Sequence, residues 1–194
     1  MSAPAATTAR PASFAELPPG AVIAHRGGAL QVPEHTLEGY AVALEQGLWV
    51  IEPDVQVLAD GALGVMHDGT VDRTTTSTGN VADRSAATWK DLRLDPRTYL
   101  GGGWDDDLRA PLFDEVLDAL AGRVLLCPEA KSAGTMEPML DALERRGVPR
   151  ATVLVQSFAV AECRAALARG WDAVWRGRPR PARAAAEGVG WIGP

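Results

Sequence analysis

The chain has 194 residues, 46% of them hydrophobic and 23% charged, with a formal net charge of −6. That is enough for one sizeable core, and it argues against a disordered chain and against a general nucleic-acid binder, while leaving room for a local cationic phosphate site. Two cysteines, Cys127 and Cys163, give no disulfide framework and read as buried thiols, and no apolar run approaches the roughly 20 residues of a membrane span.

Residues 1–20 are rich in Ala, Thr and Pro but lack the continuous apolar core of a signal peptide. They read as a flexible lead-in to one domain over 21–194, with the cytoplasm as the default location. Val22-Ile23-Ala24 is a first short strand leading into His25-Arg26-Gly27-Gly28. In the loop Pro33-Glu34-His35-Thr36, Thr36 is placed to cap a helix carrying Leu37, Tyr40, Ala41 and Leu44 on one face, and Gly47 to end it. Leu48–Ile51 leads into Glu52-Pro53-Asp54. After the Ala59-Asp60-Gly61 turn, Leu63–Met66 is a third strand, preceded by a short antiparallel pairing and ending at His67-Asp68.

About forty residues then show little helix of their own, except a short segment at 86–92, and read as an insertion over the mouth of the site. Regularity returns with helices near 113–120, 136–146 and 159–169. They alternate with strands near 123 (ending at Glu129 and Lys131), 152 (ending at Gln156-Ser157-Phe158), 171 and 189. Seven strands in alternation with helices imply a parallel αβ barrel with right-handed crossovers, short of the eight strands of a closed one.

In a parallel barrel, functional groups sit at the C-terminal ends of the strands. Glu52 and Asp54 alternate along one strand, so both side chains point one way, about 7 Å apart, and need a proton or a cation between them. Glu129 can join them. Three carboxylates suit a hard cation, Mg²⁺ or Ca²⁺, better than zinc. His25 and His67 are a candidate general acid and base, with Arg26 and Lys131 as fixed cations for a phosphate. Together these fit hydrolysis of a phosphate diester. His35, in a loop, reads as structural or as support for its neighbours.

As an ordered set, these motifs resemble the glycerophosphodiester phosphodiesterases. The matches are His25-Arg26-Gly27, Glu34-x-Thr36, Glu52-x-Asp54, Asp60-Gly61, His67-Asp68, Arg73-Thr74-Thr75 with Gly79, Glu129-x-Lys131 and Gln156-Ser157-Phe158, over residues 21 to 160 or so. The resemblance implies a TIM (β/α)8-type barrel with a small insertion after the third strand. It also implies His25 and His67 as the acid–base pair, Glu52, Asp54 and Glu129 as ligands of a divalent cation, and Arg26 and Lys131 as phosphate-binding groups. The expected reaction splits glycerophosphodiesters such as glycerophosphocholine into sn-glycerol 3-phosphate and an alcohol, through attack of the glycerol hydroxyl on phosphorus.

The sequence departs from the family in two places. Position 35 is His where the family reads Asn, and the Trp-Thr-x-Asn motif of the family's last strand is absent, so the barrel is expected to stop before its eighth strand. Such a barrel leaves two sheet edges, which a second copy of the chain can cover. The expected partner is a small-molecule glycerophosphodiester, with no nucleic acid and no stable membrane insertion. The alternative to an enzyme is a non-catalytic remnant that binds a phosphate ligand or a partner protein. A third reading is a related phosphodiesterase acting on intact lipids.

Overall fold

The computed structural model describes residues 10–177 and 180–193. Its strands are β1 (Ile23–His25), β2 (Val50–Glu52), β3 (Asp54–Val57), β4 (Leu63–Val65), β5 (Leu125–Leu126), β6 (Glu129–Ala130), β7 (Val155–Ser157), β8 (Ala173–Trp175) and β9 (Trp191–Ile192). The helices are α1 (Leu37–Glu45), α2 (Ala86–Lys90), α3 (Phe113–Leu120), α4 (Met136–Arg145), α5 (Val160–Ala168) and α6 (Pro181–Ala186).

Strands pair in the order β1-β2-β5 and β4-β3-β6-β7-β8-β9, and every neighbouring pair except β3–β4 is parallel. β2 and β3 are one strand interrupted at Pro53, and β5 and β6 one strand interrupted at Pro128. Proline has no N–H to give to a ladder, so each strand breaks there. Backbone bonds carry the pairing across: Cys127 N–H to the Ile51 carbonyl, Glu129 N–H to that of Pro53, and Gln156 N–H to that of Pro128, each at 2.9 Å.

Counted this way, the barrel wall has six parallel strands among the described residues. The segment Leu63–Val65, expected as the third of the alternating parallel strands, instead runs antiparallel to β3, with Val55 opposite Val65. Only residues 58–62 join the two, and a parallel crossover needs a dozen residues or more. β4 is thus the return arm of a hairpin turning at Gly61, where φ is +83°. Among the described residues β1 pairs only with β2, and β9 only with β8. These two edges flank the opening, with Val22, Ile23 and Trp191 exposed beside them. An eight-stranded wall has two positions more than the six seen here, one more than the sequence reading allowed.

The core follows from the strand and helix patterns. Ile51, Val55, Leu126 and Val155 from the sheet meet Tyr40, Phe113, Leu117, Met139 and Leu140 from the helices, all essentially inaccessible. Thr36 caps α1 as expected, its hydroxyl accepting from Gly39 N–H at 2.8 Å, and Gly47 follows the helix with φ +77°. The insertion is more than a lid, because Val71, Val81, Leu92 and Leu94 pack around a fully buried Trp89 in a second small core. The Trp89 indole donates to the Pro111 carbonyl at 3.0 Å, and a side chain at Gly64 would meet its ring at 2.8 Å. Part of the expected lead-in, residues 1–9, lies outside the described residues. Within the rest, Phe14 and Leu17 pack beneath Val50, Leu125 and Leu154. Both thiols are buried, and burial pushes them up, Cys163 to about 11. No described helix is long and apolar enough to cross a membrane.

Candidate active site

Strand register sets the chemistry level on one rim. His25 lies opposite Glu52, Asp54 opposite Glu129, and Glu129 opposite Gln156. The alternation of β2 and β3 around Pro53 turns Glu52 and Asp54 to the same side. One carboxylate oxygen from each of Glu52, Asp54 and Glu129 lies within 4.8 Å of the others, and all three residues are buried. Carboxylates this close and this dry repel one another unless charge is supplied. Glu52 is held at both oxygens: Gln156 Nε2 donates to Oε1 at 2.8 Å and the Arg26 backbone N–H to Oε2 at 3.1 Å. Asp54 Oδ2 accepts from His35 Nε2 at 2.9 Å. Asp54 Oδ1 is buried without a hydrogen bond and faces Lys131 Nζ at 3.4 Å. An orphaned carboxylate oxygen beside two more carboxylates is the donor set of a hard divalent cation, so these residues fit the expected ion.

The two strand carboxylates are pushed apart. Burial, then the charge of Asp54, raises Glu52 to about 8. Burial also works to raise Asp54, but the hydrogen bond and charge of His35, with the charge of Lys131, hold it well below the usual carboxylate range. The raised Glu52 has a consequence for stability. It binds its proton more tightly folded than unfolded, so its contribution is full below pH 4.5 and is lost as the pH rises toward 8, by at most about 1.4 kcal/mol per pH unit. His25 opposes this below 6.5, because burial and then Arg26 lower it. The net loss is therefore cleanest between pH 6.5 and 8. Urea unfolding in chelator should show lower stability at pH 8 than at pH 6.5, and Mg²⁺ should restore it at pH 8. A rise in chelator over that interval would contradict the assignment.

The cations expected to hold phosphate already stand among the carboxylates. Lys131 Nζ is 2.9 Å from Glu129 Oε1. Arg26 Nη1 is 3.4 Å from both Glu34 oxygens, and its Nε is 3.7 Å from Asp54 Oδ2. His25, at the end of β1, keeps an exposed surface while its neighbours partly desolvate the ring. His67 is half-buried after β4, its Nδ1 2.6 Å from Asp68 Oδ1. Both histidines are close enough for their charges to act on, or be acted on by, Asp54. The structure thus brings all seven expected site residues to one rim.

Four further residues belong to it. Arg73 grips Glu34 at 2.7 and 3.0 Å and Asp68 at 2.6 and 3.2 Å, tying the two histidine loops together. Gln156 orients Glu52. Arg176, one residue past β8, donates to Gln156 Oε1 at 2.9 Å and lies 5.5 Å from the Phe158 ring centre. His35 contacts Asp54 directly. Arg73, Gln156 and His35 carried a signal in the motifs, and Arg176 carried only its place just after a strand.

On the C-terminal rim of this αβ-barrel wall stand a carboxylate cluster, two histidines and basic side chains, a set suited to phosphoester chemistry. The chain belongs to the glycerophosphoryl diester phosphodiesterase family, whose model matches residues 25–167. A glycerophosphodiester phosphodiesterase of Bacillus subtilis is 35% identical over 128 residues, 62% of this chain and 43% of that one. Another, of Caldanaerobacter subterraneus, is 38% identical over 121 residues, 62% and 49% of the two chains. The chain thus spans about half the length of these curated relatives. A solved glycerophosphodiester phosphodiesterase of Agrobacterium tumefaciens superposes with a TM-score of 0.72 at 29% identity, over 88% of this chain and 74% of the other. An Oleispira antarctica phosphodiesterase in complex with its product sn-glycerol-3-phosphate shares the fold, with a TM-score of 0.76 at 24% identity, over 88% and 72% of the two chains.

Proposed function

We propose that this chain hydrolyses glycerophosphodiesters to sn-glycerol 3-phosphate and an alcohol. The convergence of Glu52, Asp54 and Glu129 within 4.8 Å, between two histidines and two cations, carries this reading. Membership of the family supports the reaction class, and the product bound to the Oleispira protein supports the product. A divalent cation held by Glu52, Asp54 and Glu129 would supply positive charge against the phosphoryl oxygens, with Mg²⁺ and Ca²⁺ as the candidates. Arg26 and Lys131 orient the phosphate and add to that charge. His25, whose burial and Arg26 neighbour favour the neutral ring, takes the proton from the attacking hydroxyl of the glycerol. His67, against Asp68, is the member placed to carry a proton and give it to the leaving alkoxide. The glycerol oxygen bonds to phosphorus as the bond to the alcohol breaks, giving a cyclic glycerol phosphate. Water then opens it with the two roles reversed, His67 taking the proton of the water and His25 returning one to the glycerol oxygen.

The test is a coupled assay for glycerol 3-phosphate release from glycerophosphocholine, with Mg²⁺, with Ca²⁺ and with chelator. Metal-dependent release is the expected result. Soluble, folded protein that binds the ion and releases nothing would favour the phosphate-binding remnant. Release from lysophospholipid but not from glycerophosphocholine would move the substrate to lipids.

A further inference from the structure

His35 stands in an unusual backbone state for a side chain of its size. Its φ is +56°, and the only other non-glycine described residue at positive φ is Arg26, at +55°. Such residues persist where the surroundings over-determine them, and they gather at functional sites. The surroundings here are explicit. The His35 N–H donates to the Arg26 carbonyl at 3.1 Å, which closes the loop on itself. The next residue, Thr36, caps α1, and the Tyr40 N–H donates to the Thr36 carbonyl at 3.0 Å. Tyr40 is fully buried, and a side chain at Gly27 would strike its ring at 2.7 Å. The loop is clamped on the first turn of the helix.

Both ring nitrogens of His35 are used. Nδ1 is 3.0 Å from the Tyr40 hydroxyl and Nε2 is 2.9 Å from Asp54 Oδ2. A carboxylate only accepts, so Nε2 carries the proton, and in the neutral ring Nδ1 accepts from the tyrosine. The chain Tyr40–His35–Asp54 therefore runs from a helix in the core to one oxygen of one carboxylate. The other oxygen, Oδ1, lacks a hydrogen bond and shares Lys131 with Glu129.

We propose that His35 is a positioning residue for the cation site: anchored by Tyr40, it holds Asp54 by Oδ2 and so presents Oδ1 beside Glu52 and Glu129. This rests on the cation-site reading above and not on the reaction. Partners that orient ligand carboxylates typically change metal affinity by about 10–100-fold when lost.

Mn²⁺ binding to the full chain, followed by electron paramagnetic resonance at fixed pH, tests it through three variants. His35→Asn tolerates the same left-handed backbone but reaches only to the Nδ1 position. His35→Gln puts an amide N–H where Nε2 was. Tyr40→Phe keeps the ring and removes its anchor. The expected result is a 10–100-fold weaker Mn²⁺ affinity for His35→Asn, recovery of most of that loss in His35→Gln, and an intermediate value for Tyr40→Phe, with circular dichroism showing all three folded. Equal losses for Asn and Gln would make His35 a packing residue and overturn the proposal, as would wild-type affinity in every variant. If the wild-type chain binds no Mn²⁺, the cation site itself fails and the proposal with it. Mn²⁺ binding that follows the expected order without hydrolysis would uphold the proposal and remove only the reaction.

Discussion

In chelator at pH 8, Glu52→Gln folds at least as stably as the wild-type chain, yet it loses glycerol 3-phosphate release by about 10³-fold or more. Stability and activity move in opposite directions because one charge serves only one of them. Burial and the neighbouring Asp54 raise Glu52 to about 8, so the cation-free protein holds this carboxylate at a cost that grows as the proton leaves. Glutamine has the same shape and no charge. Its amide oxygen still accepts from Gln156 Nε2, while its NH2 replaces the oxygen that accepts from the Arg26 backbone N–H, which keeps the backbone carbonyl of residue 52 at 3.0 Å as its partner. The site then has one ligand charge fewer. A bound cation contributes several kcal/mol of charge stabilisation at the transition state, and about 4 kcal/mol lost is about 10³ in rate. Asp54→Asn is the counter-case. Its carboxylate lies against His35, Lys131 and Arg26, and removing its charge breaks three contacts in a dry site, leaving Lys131 to Glu129 and Arg26 to Glu34. It should lose activity to the same extent and stability as well, by about 3–5 kcal/mol as for other broken buried pairs. Urea unfolding beside the coupled assay separates the two. Equal stability losses would mean that Glu52 is ionised and paired in the cation-free site.

The strand-end residues were legible because a short apolar run that stops at a histidine or carboxylate is hard to assign to burial alone, and β1, ending at His25, and β2, ending at Glu52, follow that pattern in the fold. The motifs around Glu52, His67 and Glu129 added order to those endings. The direction of Leu63–Val65 was harder to read, because an apolar run carries no sign. Only the five-residue connection at 58–62 excludes a crossover, and it does so by length. The insertion looked irregular for a related reason: Val71, Val81, Trp89 and Leu94 are spaced singly among polar residues, with neither a helical nor a strand period, and meet only when the loops close on Trp89. The Glu34–Arg73 pair spans 39 positions and follows no local rule. For His35 the sequence supports only a structural or supporting role, because a loop position gives no direction to a side chain. Its reach to Asp54 depends on two left-handed residues nine apart, Arg26 and His35, and neither is a glycine that would have announced the turn.

Replacing either histidine separates proton transfer from cation binding. His25→Ala and His67→Ala should each lower kcat by about 10²–10⁴-fold, the usual contribution of a positioned acid or base. Neither makes a hydrogen bond to Glu52, Asp54 or Glu129, so both variants should bind Mn²⁺ with near wild-type affinity. His25 is exposed and His67 is half-buried, so both should also unfold near the wild-type midpoint. The double variant should be little worse than the poorer single one, because an acid and a base that act on the same proton path fail together. His67→Ala has a second effect. It releases Asp68, whose carboxyl is held at about 2 by the hydrogen bond from Arg73, against burial, and then by that from His67. Arg73 still bridges Asp68 and Glu34, so the loop should stay in place. A substrate with a good leaving group, such as a p-nitrophenyl phosphodiester of glycerol, needs no proton on departure. It should therefore be cleaved by His67→Ala at a rate much closer to wild type, while His25→Ala remains slow on both substrates. The reverse pattern would exchange the two roles, and equal rescue of both variants would remove the acid–base pair from the mechanism.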